Sequence, residues 1–204
     1  QPDGPVSRST SEGMGVLVGP NSTDVHISHN NIYETKSAAI AVDGEGWDNT
    51  YDITIVDNEV MYFDYYGMNI TNATDVDVLD NDIGVAVGSG WQMQGFGIKL
   101  MNVSDVAVED NWINDTEYGI VVYNNTVLTD IEDNTVSHCY YSGMLVTGMK
   151  ADSPPVRAGP TELYITGNEV FHCEEGGIMM RHSDDVEIAY NQIHHCYGFG
   201  IDLT

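Results

Sequence analysis

Short stretches of alternating apolar and polar residues recur along the chain, and most are bounded by Gly, Asn or Asp. Alternation with a period of two, with β-branched residues at the apolar positions, predicts short β-strands that end in tight turns. No window of a dozen residues places apolar side chains at the i, i+3, i+4 and i+7 positions of an amphipathic helix. The pattern therefore predicts an all-β chain.

The strands belong to three repeated phrases. The first is Asn, any residue, then Val or Ile, and it begins at Asn30, Asn58, Asn81, Asn111, Asn134, Asn168 and Asn191. The second is a small residue followed by apolar alternation, and it begins at Gly15, Ala39, Gly67, Gly97, Gly119, Gly143, Gly177 and Gly200. The third opens on an acidic residue, at Asp24, Asp52, Asp75, Asp105, Glu162 and Asp185. The segment that starts at Asp130 breaks this third pattern at its last position.

The spacing of the Asn phrase shows how the phrases combine. Three of its six intervals are 23 residues, and the others are longer by 5, 7 and 11 residues. Self-similarity at such a period is typical of a solenoid. Three short strands per period predict a three-sided parallel β-helix of about seven rungs, each strand about 4.8 Å from the next. Leucine-rich repeats share the period, but this chain has almost no Leu in register.

The irregular intervals predict the domain organisation. We expect an N-terminal extension over residues 1–13 and a single β-helix domain over 14–204, with loop insertions near 43–51, 84–95 and 148–160. Long insertions on a rigid scaffold often carry binding surfaces, although neutral elaboration explains them equally well. Pro154, Pro155 and Pro160 exclude most of the third insertion from a strand ladder.

With these three phrases, the chain from Gly15 onward resembles the right-handed parallel β-helix repeat proteins. This pectin-lyase-like superfamily includes NosD-type periplasmic proteins and archaeal surface proteins. The resemblance implies the fold. It does not imply one function, because the superfamily includes lyases, hydrolases, epimerases, phage spikes and envelope proteins.

The charge balance excludes several partners. The chain has 32 acidic and 6 basic residues, a formal net charge of −26. Such a surface repels nucleic acid and anionic lipid, and it offers few cations to grip an anionic polymer. A halophilic or acidic-secreted composition would look the same. No apolar run is long enough to insert into a membrane. The chain begins at Gln1 without a signal-like segment, which predicts a processed or excised product. We expect the protein at the cell surface or outside the cell.

Cysteines recur at one position of the repeat. Cys139, Cys173 and Cys196 each lie five residues after an Asn of the first phrase. Other rungs have Thr35, Phe63, Ala86 and Thr116 at this position. We predict a buried ladder of free thiols, because stacked rungs hold the Cβ vectors parallel whereas a disulfide needs a torsion near 90°.

A histidine precedes each cysteine: His138, His172 and His195. In a regular strand these imidazoles point outward and form a column. We interpret the column as solvated and assign no metal site, while the NosD resemblance leaves a shared copper ion as the alternative.

Residues that could support catalysis are sparse. Asp184 and Asp185 form the nearest carboxylate pair, beside Arg181 and His182, but Asp185 is the ordinary acidic residue of the repeat. We therefore assign no catalytic residue, and the sequence favours a protein that is not an enzyme. The repeated acidic residues are interpreted as turn residues whose carboxylates accept backbone N–H bonds, and stacked Asn amides as bonding from rung to rung. No cofactor is assigned, although calcium bridging acidic corners stays an open hypothesis.

Six Asn-x-Ser/Thr motifs are candidate N-glycosylation sites. They begin at Asn21, Asn69, Asn72, Asn102, Asn114 and Asn124. Because Asn, Ser and Thr are also ordinary corner residues, turn chemistry explains the motifs equally well.

The sequence favours an exported structural protein of a cell envelope, an S-layer or sheath, or an extracellular filament. Its partners would be copies of itself, stacked through uncapped β-helix ends, and glycans. The alternative is a carbohydrate-active or carbohydrate-binding β-helix domain, with Trp47 and Trp91 in the insertions as sugar platforms. A phage or adhesin spike is a third, weaker interpretation.

Overall fold

The structure is a computed structural model that describes residues 13–44, 50–86, 95–148 and 159–204. Within these ranges the chain folds into 22 strands, β1 to β22. The same residues contain no helix long and apolar enough to cross a membrane.

The strands form three sheets. Sheet A consists of β1 (Val16–Val18), β4 (Ala38–Asp43), β7 (Tyr66–Thr71), β10 (Phe96–Met101), β13 (Tyr118–Tyr123), β16 (Ser142–Thr147), β19 (Gly176–Arg181) and β22 (Phe199–Leu203). Sheet B consists of β2 (Thr23–Ser28), β5 (Tyr51–Val56), β8 (Thr74–Leu79), β11 (Ser104–Glu109), β14 (Val127–Glu132), β17 (Thr161–Thr166) and β20 (Asp184–Ala189). Sheet C consists of β3 (Asn31–Tyr33), β6 (Glu59–Phe63), β9 (Asp82–Ala86), β12 (Trp112–Asn114), β15 (Thr135–Ser137), β18 (Glu169–Phe171) and β21 (Gln192–His194).

Neighbours within each sheet are always three strands apart in the chain and run parallel, so every coil contributes one strand to each sheet. The register aligns equivalent positions of the repeat, and Ile98, for example, pairs with Met68 on one side and Ile120 on the other. The chain is a three-sided right-handed parallel β-helix, which confirms the fold predicted from the repeat.

The inward positions form one continuous core along the axis. Ile98, Ile113 and Val108, from the three sheets of one coil, are all completely buried. The glycines that open the second phrase are required by close approach. A Cβ on Gly97 would lie 2.5 Å from Ile113 Cγ2 and 2.6 Å from the backbone oxygen of Gly119 on the next rung.

The Asn residues of the first phrase form a hydrogen-bonded ladder between sheets B and C. On Asn111, Nδ2 donates to Val78 O at 2.8 Å, to Glu109 O at 2.9 Å and to Asn134 Oδ1 at 3.0 Å. The same arrangement repeats on neighbouring rungs, so the predicted bonding of amides from rung to rung is confirmed. It holds the corner with backbone carbonyls of two successive coils.

The acidic residues at the start of the sheet B strands form the corner through their backbone conformation, and not through the predicted hydrogen bonds of their carboxylates. Asp24, Asp52, Asp75, Asp105 and Glu162 have φ between 55° and 58°, in the left-handed region, and their side chains are exposed. Asp tolerates this region better than most residues. In the part of the chain that the structure describes, none of these carboxylates accepts a backbone N–H bond, so the prediction that the carboxylate holds the turn is wrong.

The structure also shows which residues occupy the corner and inward positions of the irregular repeat near Asp130. Asp130 pairs with Ala107 and Tyr164 on the outer face of sheet B, and Leu128 occupies the corner with a φ of 50°. Thr129 then points inward, in line with Val106, and is fully buried. The pattern is shifted by two residues relative to the sequence-based assignment, because Leu128 and Thr129 replace the usual acidic and apolar residues.

The three longest connections all border sheet A. One joins β4 to β5, one joins β9 to β10, and one joins β16 to β17. Two of these connections follow a strand of sheet A, namely β4 and β16, and the third precedes a strand of sheet A, namely β10. Residues 45–49, 87–94 and 149–158 of these predicted insertions lie outside the described residues.

Candidate functional site

The outer face of sheet A carries a ladder of aromatic rings. Tyr66, Phe96 and Tyr118 are paired in register on consecutive rungs. The ring centroids of Tyr66 and Phe96 lie 5.5 Å apart at an angle of 15°, and those of Phe96 and Tyr118 lie 5.6 Å apart at 17°. Tyr141 extends the ladder, with its ring centroid 5.1 Å from that of Tyr118. Neighbouring rings cover each other's faces, so their edges face outward.

Lys99 lies beside this ladder. Its Nζ atom is 4.9 Å from the ring centroid of Tyr66, within the range of a cation–π interaction. Burial lowers the pKa of Lys99, because the partly desolvated ammonium is less stable than one in water. The ammonium is thus held on an aromatic surface in a protein whose charge is otherwise strongly negative.

The residues on either side of Lys99 in register complete the surface. On one side is Asn69, whose Oδ1 atom is enclosed and has no hydrogen-bond partner among the described residues. On the other side is Val121, which is fully buried although it is not part of the axial core. We call Tyr66, Asn69, Phe96, Lys99, Tyr118 and Tyr123 the aromatic face.

The tyrosines of the aromatic face remain protonated hydrogen-bond donors over a wide pH range. Burial, with Glu117 nearby, raises the pKa of Tyr118 to about 12. Burial, with Tyr66 and Glu117 nearby, also raises the pKa of Tyr123, and burial raises the pKa of the Glu117 carboxyl. The face therefore offers phenol and ammonium donors, phenol oxygens as acceptors and apolar area, which suits a polar ligand with several hydroxyl groups.

The aromatic face was not predicted from the sequence, although a signal was present. An aromatic residue immediately precedes the Gly of the second phrase on three consecutive rungs, as Tyr66-Gly67, Phe96-Gly97 and Tyr118-Gly119. The two tryptophans that were predicted as sugar platforms, Trp47 and Trp91, lie outside the described residues.

A second cluster lies at the corner that follows sheet C. The predicted outward column is present, because His138, His172 and His195 are all exposed and stacked. Ring centroids are 5.0 Å apart for His138 and His172, and 5.2 Å for His172 and His195. His194 joins the column, and we call these four residues the imidazole cluster.

The nitrogens of the imidazole cluster are well placed for bonding. Nδ1 of His194 lies 2.7 Å from Nδ1 of His195, and Nε2 of His194 lies 3.0 Å from Oε1 of Glu169. Partial desolvation and the neighbouring imidazoles lower the pKa of His172. This favours the neutral form of the His172 ring, which is the form of an imidazole that binds a metal.

The cysteine position points into the core. Cys139 and Cys173 are buried and Cys196 is half-buried, and all three are unpaired. Thr116 continues the column, with its Oγ1 atom 3.6 Å from Cys139 Sγ. Burial raises the pKa of Cys196, and a neighbouring thiol and burial raise that of Cys173, so both thiols are poor nucleophiles.

The other sequence-predicted residues are not assembled into a cleft. Asp184, Asp185, Arg181 and His182 are all exposed on the last coil. The described residues contain no group of three or more His, Cys, Asp or Glu side chains positioned to hold a metal ion. Calcium at the acidic corners stays a prediction.

The candidate glycosylation sites differ in exposure. Asn21 is exposed, whereas Asn69, Asn72, Asn102 and Asn114 are half-buried. The Asn72 and Asn102 side chains are bonded to each other, with Nδ2 of Asn102 donating to Oδ1 of Asn72 at 3.1 Å. Asn124 is only 5% exposed. Its amide is not accessible in the folded chain, so the structure does not support Asn124 as a glycosylation site.

Solved structures share the fold. The periplasmic alginate epimerase AlgG matches with a TM-score of 0.71 and 18% identity, over 87% of this chain and 42% of that protein. The A-module of the mannuronan C-5 epimerase AlgE4 from Azotobacter vinelandii matches with a TM-score of 0.48 and 12% identity, over 90% of this chain and 59% of the module. The chain thus spans less than half the length of AlgG, and at this identity the likeness shows the fold alone. A search of curated proteins found no match.

A family model gives a broader assignment. The model described as "Periplasmic copper-binding protein (NosD)" matches residues 54–204, about three quarters of the chain. This range begins in β5 and includes both the aromatic face and the imidazole cluster. Since the match covers well over half of the sequence, the chain belongs to the NosD family.

Proposed function

We propose that this protein is an exported β-helix that binds carbohydrate on the aromatic face of sheet A. The observation that carries the proposal is the position of Lys99, held over the Tyr66 ring on the one sheet that all three long connections border. A polar ligand lying there would have donors, an acceptor and apolar area within one or two rungs.

The chemistry of the face indicates the ligand class. The Lys99 ammonium donates hydrogen bonds, and the phenol groups of Tyr118 and Tyr123 both donate and accept them. Sugars offer hydroxyl groups for both roles, and a uronate would add a carboxylate for the ammonium. Because ring edges and not ring faces are presented, we expect hydrogen bonding to contribute more than stacking.

Binding is favoured over turnover. The acidic pair Asp184 and Asp185 lies on the last coil, in sheet B, away from the aromatic face on β7 to β13. Hydrolysis by this fold needs carboxylates beside the scissile bond. The NosD family is described as periplasmic, and so is the alginate epimerase AlgG, which supports a location in the cell envelope or outside the cell.

Copper is also named in the family description. Imidazole suits copper, and the described residues that provide it together are those of the imidazole cluster. The described residues contain no group of three or more His, Cys, Asp or Glu side chains positioned around one point. The imidazole cluster alone is therefore an incomplete set of ligands for copper.

Calorimetric titration with neutral and uronate oligosaccharides tests the proposal. Lys99→Met and Tyr66→Ala should each weaken binding of a responding oligosaccharide at least tenfold. Tyr164→Ala is the matched control, since Tyr164 is an exposed tyrosine in the middle of sheet B. Equal affinity of all three variants, or no binding of any oligosaccharide by the wild type, would refute the carbohydrate proposal.

Self-assembly is a second candidate, favoured by the last coil. Phe199, Ile201 and Leu203 of β22 are 66%, 47% and 64% exposed, whereas Ile178, paired with Ile201, is fully buried. A further rung, from the chain itself or from a second copy, would cover these side chains and pair the open strand edge. Sedimentation of the wild type and of Ile201→Lys would distinguish the two: concentration-dependent association that the substitution abolishes supports stacking of copies, and a monomer throughout opposes it.

A further inference from the structure

A groove runs along the corner where the chain passes from sheet C to sheet A. Its volume is about 360 Å³, and it is lined by His138, Cys139, Tyr140, His172, Glu174 and Tyr197. Cys139 points into the core and is 1% exposed, so the residues on either side of it in the chain point outward. The buried thiol is therefore the floor of the groove, and two columns of outward side chains are its walls.

One wall is the column of Tyr140, Glu174 and Tyr197. Backbone hydrogen bonds hold these residues on consecutive rungs. The N–H of Glu174 donates to Cys139 O at 3.0 Å, and the N–H of Tyr197 donates to Cys173 O at 3.0 Å. Tyr140 and Tyr197 are thus two rungs apart, which is about 9.6 Å at about 4.8 Å per rung. Their side chains are 41% and 87% exposed. A carboxylate therefore lies between two accessible tyrosines.

The other wall consists of the His138 and His172 rings, whose centroids are 5.0 Å apart. Partial desolvation and the neighbouring imidazoles lower the pKa of His172. Its ring is therefore mostly neutral at pH 7, and a neutral imidazole does not repel a cation. This wall adds aromatic area opposite the tyrosines, and at His172 it does so without adding positive charge.

Aromatic rings around one carboxylate are the chemistry that recognises an organic ammonium ion. A tyrosine ring attracts a cation within about 6 Å of its centroid, and quaternary ammonium ligands are typically bound in this way. A cation on the rung of Glu174 would lie about 5 Å from each tyrosine ring, if the rings keep the rung spacing. Glu174 forms no ion pair with another described residue, so its charge can balance that of a ligand.

The groove is less suited to other ligands. A metal ion needs several donors around one point, and the described residues contain no group of three or more such side chains. An anion would be repelled by Glu174 and by the net charge of −26. A primary ammonium ion is strongly hydrated and needs acceptors for three N–H bonds, whereas the methyl groups of a quaternary ammonium ion can pack against the rings.

We propose that this groove binds a small organic cation with a quaternary ammonium group, which lies between Tyr140 and Tyr197 and is balanced by the carboxylate of Glu174. His138 and His172 close the opposite side. The groove is separate from the aromatic face of sheet A, and the proposal does not depend on carbohydrate binding.

NMR titration of the isotope-labelled chain with choline, and with its uncharged isostere 3,3-dimethylbutan-1-ol, tests the site. We expect saturable binding of one choline per chain, with shifts concentrated at the groove, and no detectable binding of the alcohol. Tyr140→Leu should weaken choline binding by about fivefold or more, whereas Tyr140→Phe should keep the affinity within about twofold because the ring carries the attraction. Tyr164→Leu is the matched control, since Tyr164 is 44% exposed on sheet B.

A second pair of variants separates the local carboxylate from the overall charge. Glu174→Gln should weaken choline binding by about fivefold, and Glu187→Gln, which changes the net charge equally on the outer face of sheet B, should leave it unchanged. Equal effects of the two substitutions would refute the assigned role of Glu174. The site itself is refuted by a wild type that does not bind choline, by shifts away from the groove, or by the alcohol binding as tightly as choline. Circular dichroism verifies that each variant is folded, which we expect because these side chains lie outside the core.

Discussion

The side-chain oxygen of Asn81 accepts two hydrogen bonds from Asn58, one from its backbone N–H and one from its Nδ2, each at 3.0 Å. The Nδ2 atom of Asn81 in turn donates to Ile55 O, to Leu79 O and to Asn111 Oδ1. Each interior amide of the ladder therefore has partners on its own coil and on the coils above and below. Because the bonds continue from rung to rung, the loss of one amide exposes unpaired groups on its neighbours.

Removing an interior amide should be strongly destabilising. In Asn111→Ala, carbonyl groups of Val78 and Glu109 and the donors of Asn81 lose their partners in a buried corner. We expect a loss of about 3–5 kcal/mol in the free energy of unfolding, measured by denaturant titration. Asn30→Ala is the control, because Asn30 is exposed at the first coil. If both variants lose only a small and similar amount of unfolding free energy, the ladder does not stabilise the fold.

Adding a methyl group where two coils approach each other most closely should also destabilise the fold. A Cβ on Gly119 would collide with Val136 Cγ1 and lie 2.5 Å from the backbone oxygen of Gly143. Because backbone cannot move aside without disturbing the next coil, Gly119→Ala should lower the free energy of unfolding by about 2 kcal/mol or more. At Gly19 a Cβ would meet nothing within 4 Å, so Gly19→Ala should be neutral. Thermal melts of the two variants provide the comparison.

The three cysteines should differ in reactivity. Under native conditions a thiol reagent should modify Cys196 slowly and leave Cys139 and Cys173 intact, because only Cys196 is partly exposed and burial raises thiol pKa values. In denaturant without reductant, all three should react. Cys196→Ser should abolish the native reaction. Fewer than three reactive thiols in the denatured chain would indicate a disulfide and contradict the predicted free thiols.

Carboxylates on sheet B should make the protein more stable in mild acid. Burial and the neighbouring Asp75 and Asp105 raise the pKa of Asp77, and burial, Glu132 and Asp105 raise that of Asp130. A raised pKa means that the folded chain holds more protons than the unfolded chain, so stability rises as pH falls from neutral through the folded pKa values. In low salt we expect a higher melting temperature at pH 5 than at pH 7, and added NaCl should narrow the difference.

Single substitutions test which carboxylates cause this dependence of stability on pH. Asp77→Asn should raise the free energy of unfolding at pH 7 by a few tenths of a kcal/mol, because water screens these largely exposed groups. Asp64→Asn should act in the opposite direction, since Asp64 lies 3.4 Å from Lys36. If both substitutions stabilise equally, only the reduction of net charge matters and local repulsion does not.

The repeat phrases predicted the fold because each phrase encodes one physical requirement of a coil. Asn58 and its equivalents supply the amide ladder, and Gly97 and its equivalents allow the next coil to approach. The phrase at Asp130 misled the assignment because Leu128 adopts the left-handed corner usually taken by Asp. That conformation is imposed by stacking on the coils above and below, which the local sequence does not show.

The candidate sites were harder to predict, since they depend on neighbours from different coils. Residues 66, 96 and 118 are aromatic in the sequence, but their stacking and the placement of Lys99 over Tyr66 require the insertions to be aligned correctly. The column of three histidines was visible from the spacing. The contribution of His194 was not, because it follows from the left-handed backbone of His195.

Lys99 should give ligand binding on the aromatic face a pH dependence. Burial lowers the pKa of its ammonium group, so the folded chain releases this proton at a lower pH than free lysine does. For a uronate oligosaccharide, affinity should fall as pH rises through the lowered pKa, because the attraction to the carboxylate is lost. The pKa of a guanidinium group is far above that of an ammonium group, so Lys99→Arg stays charged and should keep its affinity over the same pH range. While Lys99 is protonated, burial of its charge costs free energy of folding. Lys99→Met removes this cost, so its free energy of unfolding at pH 7 should be no lower than that of the wild type. Calorimetry at several pH values, with a neutral oligosaccharide as the reference ligand, measures the binding effect, and denaturant titration measures the stability. A wild type and an arginine variant with the same pH profile would show that Lys99 does not contact the carboxylate.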